Sequence, residues 1–161
     1  ARIGSIIETG LDDWNAALQV NLTSAYLTSR HVLPRMLEAG RGVITNVSST
    51  ASIRDTGYVY PAYSATKAGV NQLTVSLALT YAAQGIRANA LVPGLIDTPL
   101  VSAQITDDPA ALAARHAASP TGRMGTPADV ANAAVFLASD RAAYINGVCL
   151  PIDGGLSARC G

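Results

Sequence analysis

The chain has 161 residues, no formal net charge at neutral pH, 49% hydrophobic residues and only 14% charged residues. This length and apolar content predict one globular domain with a substantial core and exclude an intrinsically disordered chain. The basic residues are scattered along the sequence, so no nucleic-acid partner is expected. Two cysteines are too few for a disulfide framework, which favours a reducing compartment. No apolar run approaches the length of a membrane helix and no signal peptide is recognisable, so we expect a cytoplasmic protein without a membrane partner.

Hydrophobic spacing predicts two long helices, at residues 11–39 and 61–84, and a third at residues 126–139. Three short apolar runs, at residues 42–47, 86–92 and 147–152, predict strands, and the first two are typical of strands buried on both faces. Alternating helices and strands favour a parallel sheet with helices on its faces. The polar, alanine-rich segment 97–123 is predicted to form short helices in a lid over a site.

A three-stranded parallel sheet leaves a hydrophobic edge open, which is unfavourable for a free-standing domain. No G-x-G-x-x-G motif follows a predicted strand in this chain. We therefore expect either that the chain begins late in its domain or that something else completes the sheet.

The segment from Asn46 to Val70 holds the most informative polar residues. Tyr63 and Lys67 are four residues apart, a spacing that places them side by side on one face of a helix. Lys67 is the one lysine among eleven basic residues, and lysine and arginine are not interchangeable. A free phenol has a pKa of about 10, too high for a base at neutral pH, and an adjacent ammonium favours its ionised form.

Other polar residues allow more than one interpretation. Asn21, in the middle of the first helix, is either a solvated position or a functional one. Tyr58 and Tyr60 either line a pocket or serve packing in a turn. His31 and His116 lack the spacing of metal ligands, so both are interpreted as structural or solvated and no metal site is expected.

Five motifs, taken together and in order, resemble the short-chain dehydrogenase/reductase family: VNLTSAY around Asn21, NVSS ending at Ser49, YSATK from Tyr63, NALVPGLIDTP from Asn89, and YINGVCLPIDGG from Tyr144. The resemblance covers essentially residues 1–161 and implies an α/β fold, a Rossmann-like doubly wound parallel sheet. This chain would be a single partial domain with the later strands and helices. In a complete family member, the glycine-rich nucleotide loop and the segment that selects NAD or NADP come earlier in the chain.

The resemblance implies a catalytic set of Asn21, Ser49, Tyr63 and Lys67. Tyr63 would be the general acid/base that exchanges a proton with the substrate oxygen. Tyr63 and Lys67 would also contact the cofactor, with Lys67 binding the nicotinamide ribose. Ser49 would hydrogen-bond the substrate oxygen, with Ser48 as the alternative because the loop before Tyr63 is one residue longer than the family spacing. Asn21 would hold a water that links Lys67 to solvent.

The resemblance also implies a cofactor, NAD or NADP, whose nicotinamide would lie against Pro93 and Gly94, with the Ile96 main chain and the Thr98 hydroxyl orienting its carboxamide. The implied function is an oxidoreductase that transfers a hydride between this cofactor and a small-molecule secondary alcohol or ketone. The alternative is a truncated, non-catalytic remnant that serves as a structural or oligomerisation unit. Family members are homo-oligomers, dimers or tetramers, and the same is expected here.

Overall fold

Three parallel strands run through the centre of the computed structural model, which describes residues 2–102 and 108–159. They are β1 (Gly42–Val47), β2 (Ile86–Pro93) and β3 (Cys149–Ile152), and they lie side by side in that order. Both pairs of neighbours are parallel. The predicted parallel sheet is therefore confirmed within these residues.

Six α-helices are formed by the described residues: α1 (Leu11–Ala17), α2 (Ser24–Glu38), α3 (Pro61–Tyr81), α4 (Pro99–Ser102), α5 (Pro109–Ala118) and α6 (Pro127–Ala138). The predicted long helices are confirmed. A π-helical segment, Leu18–Thr23, joins α1 to α2 and was not predicted, because apolar spacing does not distinguish it from an α-helix. A membrane crossing would need a longer or more apolar helix than any that these residues form.

Helices cover both faces of the sheet. On one face, Leu33 of α2 and Leu77 of α3 pack against Ile86 and Ala88 of β2. On the other face, Leu137 of α6 packs against Leu91. Even-numbered and odd-numbered residues of β2 thus point to opposite faces, as the two-residue repeat of a strand requires. The sheet is doubly wound, as the resemblance implied.

Two strand predictions need correction. β3 begins at Cys149 rather than at Gly147, because Gly147 has a φ of +77° and so forms a turn instead of an extended strand. β1 is less buried than predicted, and Val47 is 54% exposed. The reason is its place at the edge of the sheet formed by the described residues, whereas the central strand β2 is buried on both faces.

The segment 97–123 leaves the sheet after β2 and returns before α6. It contains α4 and α5, as predicted, while residues 103–107 of the predicted lid lie outside the described residues. Its two ends are joined, because the Asp97 N–H donates to the Gly125 carbonyl at 2.8 Å and the Gly125 N–H donates to the Leu95 carbonyl at 2.9 Å. This closure holds the segment beside the carboxyl end of β2.

A capping box starts α6. The Thr126 hydroxyl accepts a hydrogen bond from the Asp129 N–H, and the Asp129 carboxylate accepts one from the Thr126 N–H. Hydrogen bonds from Thr126 and from the Arg123 side chain lower the pKa of Asp129 to about 2. This cap starts the helix where the third helix was predicted to begin.

Candidate active site

Tyr63 and Lys67 lie on one face of the first turns of α3. Pro61 occupies the first turn of this helix, where its missing N–H is not needed. The Lys67 ammonium nitrogen lies 5.7 Å from the centroid of the Tyr63 ring, and it donates a hydrogen bond to the Val47 carbonyl at 2.9 Å. The ammonium is therefore held between the end of β1 and the phenol ring, as the four-residue spacing predicts.

Burial lowers the pKa of Lys67, because a partly desolvated ammonium loses hydration. An ammonium has three N–H donors, and the Val47 carbonyl uses one of them. The side chain therefore carries both a positive charge and further donors at the edge of the cleft that Tyr63 lines.

The two serines after β1 have different surroundings. Ser48 is 3% exposed, and its hydroxyl donates to the Lys67 carbonyl at 3.0 Å. Ser49 is half-buried and lines the same cleft as Tyr63 and Lys67. Its hydroxyl oxygen accepts a hydrogen bond from the Ala51 N–H at 3.2 Å, which leaves the hydroxyl hydrogen for another acceptor. This geometry favours Ser49 over Ser48 as the serine that faces a ligand.

Asn21 lies in the π-helical segment, a feature that occurs often at functional sites. Its side-chain amide donates to the Thr66 hydroxyl at 3.2 Å, and that hydroxyl donates to the Tyr63 carbonyl at 2.8 Å. Asn21 also lines the cleft together with Tyr63 and Lys67. The structure thus brings Asn21 to the turn of α3 that carries Tyr63.

A cavity of about 470 Å³ adjoins the pair at the carboxyl ends of the strands, where parallel sheets bind ligands. All six residues predicted to contact the cofactor line it: Tyr63, Lys67, Pro93, Gly94, Ile96 and Thr98. The Thr98 hydroxyl oxygen accepts from the Val101 N–H at 3.3 Å and keeps its own hydrogen to donate. The donors and the mostly apolar wall fit the nicotinamide end of a dinucleotide.

The larger cleft next to this cavity has a volume of about 1230 Å³. Tyr58 and Tyr60 line it and also pack together, with stacked rings whose centroids are 5.9 Å apart. Tyr60 in turn meets Tyr63 edge to face at 5.3 Å. The two interpretations of these tyrosines are thus both correct, because the rings form a packed wall of the pocket.

Two arginines that line this cleft, Arg54 and Arg115, were not predicted as site residues. The sequence could have indicated Arg115 as a site residue, because it is a charged residue on the alanine-rich helix α5. His116 follows it, and its Nδ1 accepts a hydrogen bond from the Met124 N–H at 3.0 Å, a structural role. His31 is exposed on α2, and its Nδ1 donates to the Leu27 carbonyl at 2.7 Å.

Known proteins match both the sequence and the fold. Residues 1–157 match the profile of a family described as enoyl-(acyl carrier protein) reductase. The chain is 46% identical over 149 residues to cis-4-hydroxycyclohexanecarboxylate dehydrogenase from Sinomonas cyclohexanicum, an alignment covering 90% of this chain and 57% of that protein. It superposes with a TM-score of 0.92 on an oxidoreductase of the short-chain dehydrogenase/reductase family from Burkholderia thailandensis, at 40% identity. The chain belongs to the short-chain dehydrogenase/reductase family.

A further short-chain dehydrogenase/reductase neighbour is a gluconate 5-dehydrogenase from Burkholderia cenocepacia, solved with NADP and tartrate. It has a TM-score of 0.91 and 33% identity to this chain. Each of these two superpositions includes 99% of this chain and 62% of the solved structure's chain. The chain therefore spans about three fifths of the relatives that it matches, and the Rossmann-like fold class is confirmed.

Proposed function

We propose that this protein is an NAD- or NADP-dependent oxidoreductase that interconverts a secondary alcohol and the corresponding ketone. The observation that carries the proposal is the convergence of Ser49, Tyr63 and Lys67 on one cleft, beside the cavity lined by Gly94. The NADP bound to the gluconate 5-dehydrogenase neighbour supports this type of cofactor.

In the proposed mechanism, Tyr63 removes the hydroxyl proton during oxidation and returns it during reduction. The Lys67 ammonium lies 5.7 Å from the centroid of the Tyr63 ring and places a positive charge beside the phenol. The Ser49 hydroxyl donates to the substrate oxygen and stabilises the charge that develops there. Lys67 and the residues that line the cavity beside Gly94 would hold a nicotinamide dinucleotide, which would supply the hydride acceptor for oxidation and the hydride donor for reduction.

Asn21 is proposed to support proton return to Lys67 through a bound water. Two observations support this role: Asn21 lies in a π-helical segment and it is linked through Thr66 to the turn of Tyr63. Segment 97–123 is proposed to be the substrate lid, because residues of its helix α5 line the cleft together with the tyrosines.

A homo-oligomer is proposed from the apolar side chains that the long helices leave exposed. Leu79 on α3 is 76% exposed, and Tyr26 and Leu27 on α2 are each 44% exposed. Such residues are common where a helix face meets a second subunit. Light scattering of the purified protein measures its mass in solution, and a monomer at every concentration would contradict this proposal.

The acid/base role is tested by Tyr63→Phe, which removes the hydroxyl and keeps the ring. We expect kcat to fall by about 10²–10⁴-fold, the usual contribution of general acid–base catalysis, measured as NAD(P)-dependent alcohol oxidation. Tyr144→Phe is the matched control, because Tyr144 is fully exposed and does not line the cleft. Activity of the Tyr63 variant within a few fold of the parent would contradict the role.

Cofactor binding is tested separately by titrating NADH and NADPH and following nicotinamide fluorescence. Saturable binding that weakens in a Lys67→Met variant is expected. Absence of binding at millimolar cofactor would favour the non-catalytic alternative for this chain.

A further inference from the structure

Arg115 reaches from α5 into the cleft that contains Tyr63. It is half-buried, and it lines both this cleft and the adjoining cavity beside Gly94. Its guanidinium donates a hydrogen bond to the Tyr58 hydroxyl at 2.9 Å and lies 5.8 Å from the centroid of that ring. Arg115 therefore connects the proposed lid to the tyrosine wall.

Among the residues that the structure describes, no carboxylate forms an ion pair with Arg115. Within residues 2–102 and 108–159, the ion pairs are Arg2 with Asp13 and Arg123 with Asp129, and neither involves Arg115. A guanidinium has five N–H donors, and the Tyr58 hydroxyl uses one. A partly desolvated cation without a counter-ion is unfavourable, so this side chain is suited to bind an anion.

The other charged side chains of the cleft wall are engaged elsewhere. Arg54 donates to the Leu156 carbonyl and, at 3.1 Å, to the Asp55 carbonyl, so it connects its loop to the segment after β3. The Asp55 carboxylate accepts a hydrogen bond from the Gly57 N–H at 2.9 Å and so faces its own loop. Lys67 belongs to the Tyr63 pair. Of the three cations that line the described part of this cleft, Arg115 is thus the one that remains open to a substrate.

An apolar wall separates the two polar ends of the cleft. A row of contacts links Arg115 to Tyr63: Arg115 contacts Tyr58, the rings of Tyr58 and Tyr60 stack with centroids 5.9 Å apart, and Tyr60 meets Tyr63 at 5.3 Å. Ala111, Ala114 and Ala118 of α5 also line the cleft. A molecule that fits has an alcohol or ketone at one end, a hydrocarbon body and an anionic group at the other end.

Building on the proposed function, we propose that the substrate carries a carboxylate and that Arg115 binds it while Tyr63 faces the reacting oxygen. The planar fork of a guanidinium matches the two oxygens of a carboxylate. The Tyr58 hydroxyl holds the guanidinium in place for this contact. Arg115 is thus a specificity determinant.

The test uses straight-chain hydroxy acids in which a growing number of methylene groups separates the secondary alcohol from the carboxylate, each paired with its methyl ester. kcat/KM is measured for the parent, Arg115→Gln and Arg115→Lys. We expect the parent to prefer the best acid over its ester by at least about tenfold, the usual effect of a charge-assisted hydrogen bond. Arg115→Gln should abolish that preference, and Arg115→Lys should retain part of it.

The control is Arg141→Gln, which removes an exposed arginine that does not line the cleft and should leave the preference unchanged. If Arg115→Gln lowers kcat/KM equally for acid and ester, the proposal is overturned in favour of a contact that only positions the lid. If the variant raises only the KM for the cofactor, the proposal is overturned in favour of a contact with a cofactor phosphate. If the parent oxidises each acid no better than its methyl ester, the carboxylate site is overturned and the proposed function stands.

Calorimetric titration of the acids and esters without cofactor provides a readout that needs no turnover. Tighter binding of an acid than of its ester, lost in Arg115→Gln, would support the anion site even if no alcohol is oxidised. Equal binding of acid and ester would overturn it. Failure of the proposed function would instead appear as absence of turnover for every acid and ester.

Discussion

Gly94→Ala should destabilise the protein and disturb the proposed cofactor cavity. A Cβ at this position would lie 2.6 Å from the Asp153 Cβ and 2.9 Å from its Cα. Carbon atoms pack at about 3.5–4.0 Å, so the turn after β2 has to move by about 1 Å. Gly94 lines the cavity beside Tyr63 and Lys67, and this movement therefore occurs at the proposed site.

Asp153 cannot easily move away from the added methyl group. Its carboxylate accepts hydrogen bonds from the Ser157 N–H at 2.7 Å and the Gly155 N–H at 3.0 Å. Although burial raises the pKa of Asp153, the hydrogen bonds from the Ser157 side chain and from the two N–H groups outweigh it, and the pKa is lowered overall. The Gly94 N–H also donates to the Ile152 carbonyl at 3.0 Å, which ties the two turns together.

Overpacking of this kind costs about 1–3 kcal/mol in the free energy of unfolding, or about 2–4 °C in Tm for each kcal/mol in a chain of this size. Urea denaturation measures the loss directly. Because a 1 Å displacement can cost about 10²-fold in rate, we also expect a large fall in kcat. Gly4→Ala is the control, since its Cβ would make an ordinary contact at 3.5 Å with the Glu8 Cβ. A Gly94→Ala variant as stable as Gly4→Ala would contradict the predicted clash with Asp153.

Three further predictions follow from single contacts. Ser49→Ala should lower kcat by about 10-fold or more with little change in stability, because its hydroxyl lines the cleft. Ser48→Ala should cost about 0.5–1.5 kcal/mol of stability, because it removes the buried hydrogen bond to the Lys67 carbonyl. Gly85→Ala should cost more than about 2 kcal/mol in a denaturant titration, because φ is +81° and the added Cβ would lie 2.1 Å from the Gly40 carbonyl oxygen. Asp129→Asn should lower Tm by a few degrees at pH 7.

The Asp129 effect has a defined pH dependence. Since folding lowers the pKa of this carboxyl from 3.8 to about 2, its contribution is present above pH 4 and is lost as the pH falls towards 2. Melting curves of Asp129→Asn and the parent should therefore converge over that range, and a constant difference would contradict the assignment.

For the serines, a greater rate loss in Ser48→Ala than in Ser49→Ala would reverse their roles. A Gly85 variant as stable as the parent would disprove the close approach to Gly40.

Local sequence patterns predicted most elements because each depends on neighbours along the chain. The spacing of Tyr63 and Lys67 needs only helical geometry, and the Thr126 cap of α6 needs only its own first turn. The π-helical segment around Asn21 was not predictable in this way, because its apolar residues also fit an ordinary α-helix. The start of β3 was wrong by two residues because the positive φ of Gly147 ends its extended run.

The sequence by itself determined the alternation of helices and strands, the Tyr63–Lys67 pair and the motifs of its family, because periodicity and motif order are properties of the chain. Only the tertiary structure decided which serine faces the cleft and which supports α3, since Ser48 and Ser49 are adjacent and differ only in side-chain direction. It also decided that Arg115 meets Tyr58, a contact between residues 57 positions apart. Such contacts depend on where α5 lies relative to the loop before α3, and a local sequence pattern does not determine that position.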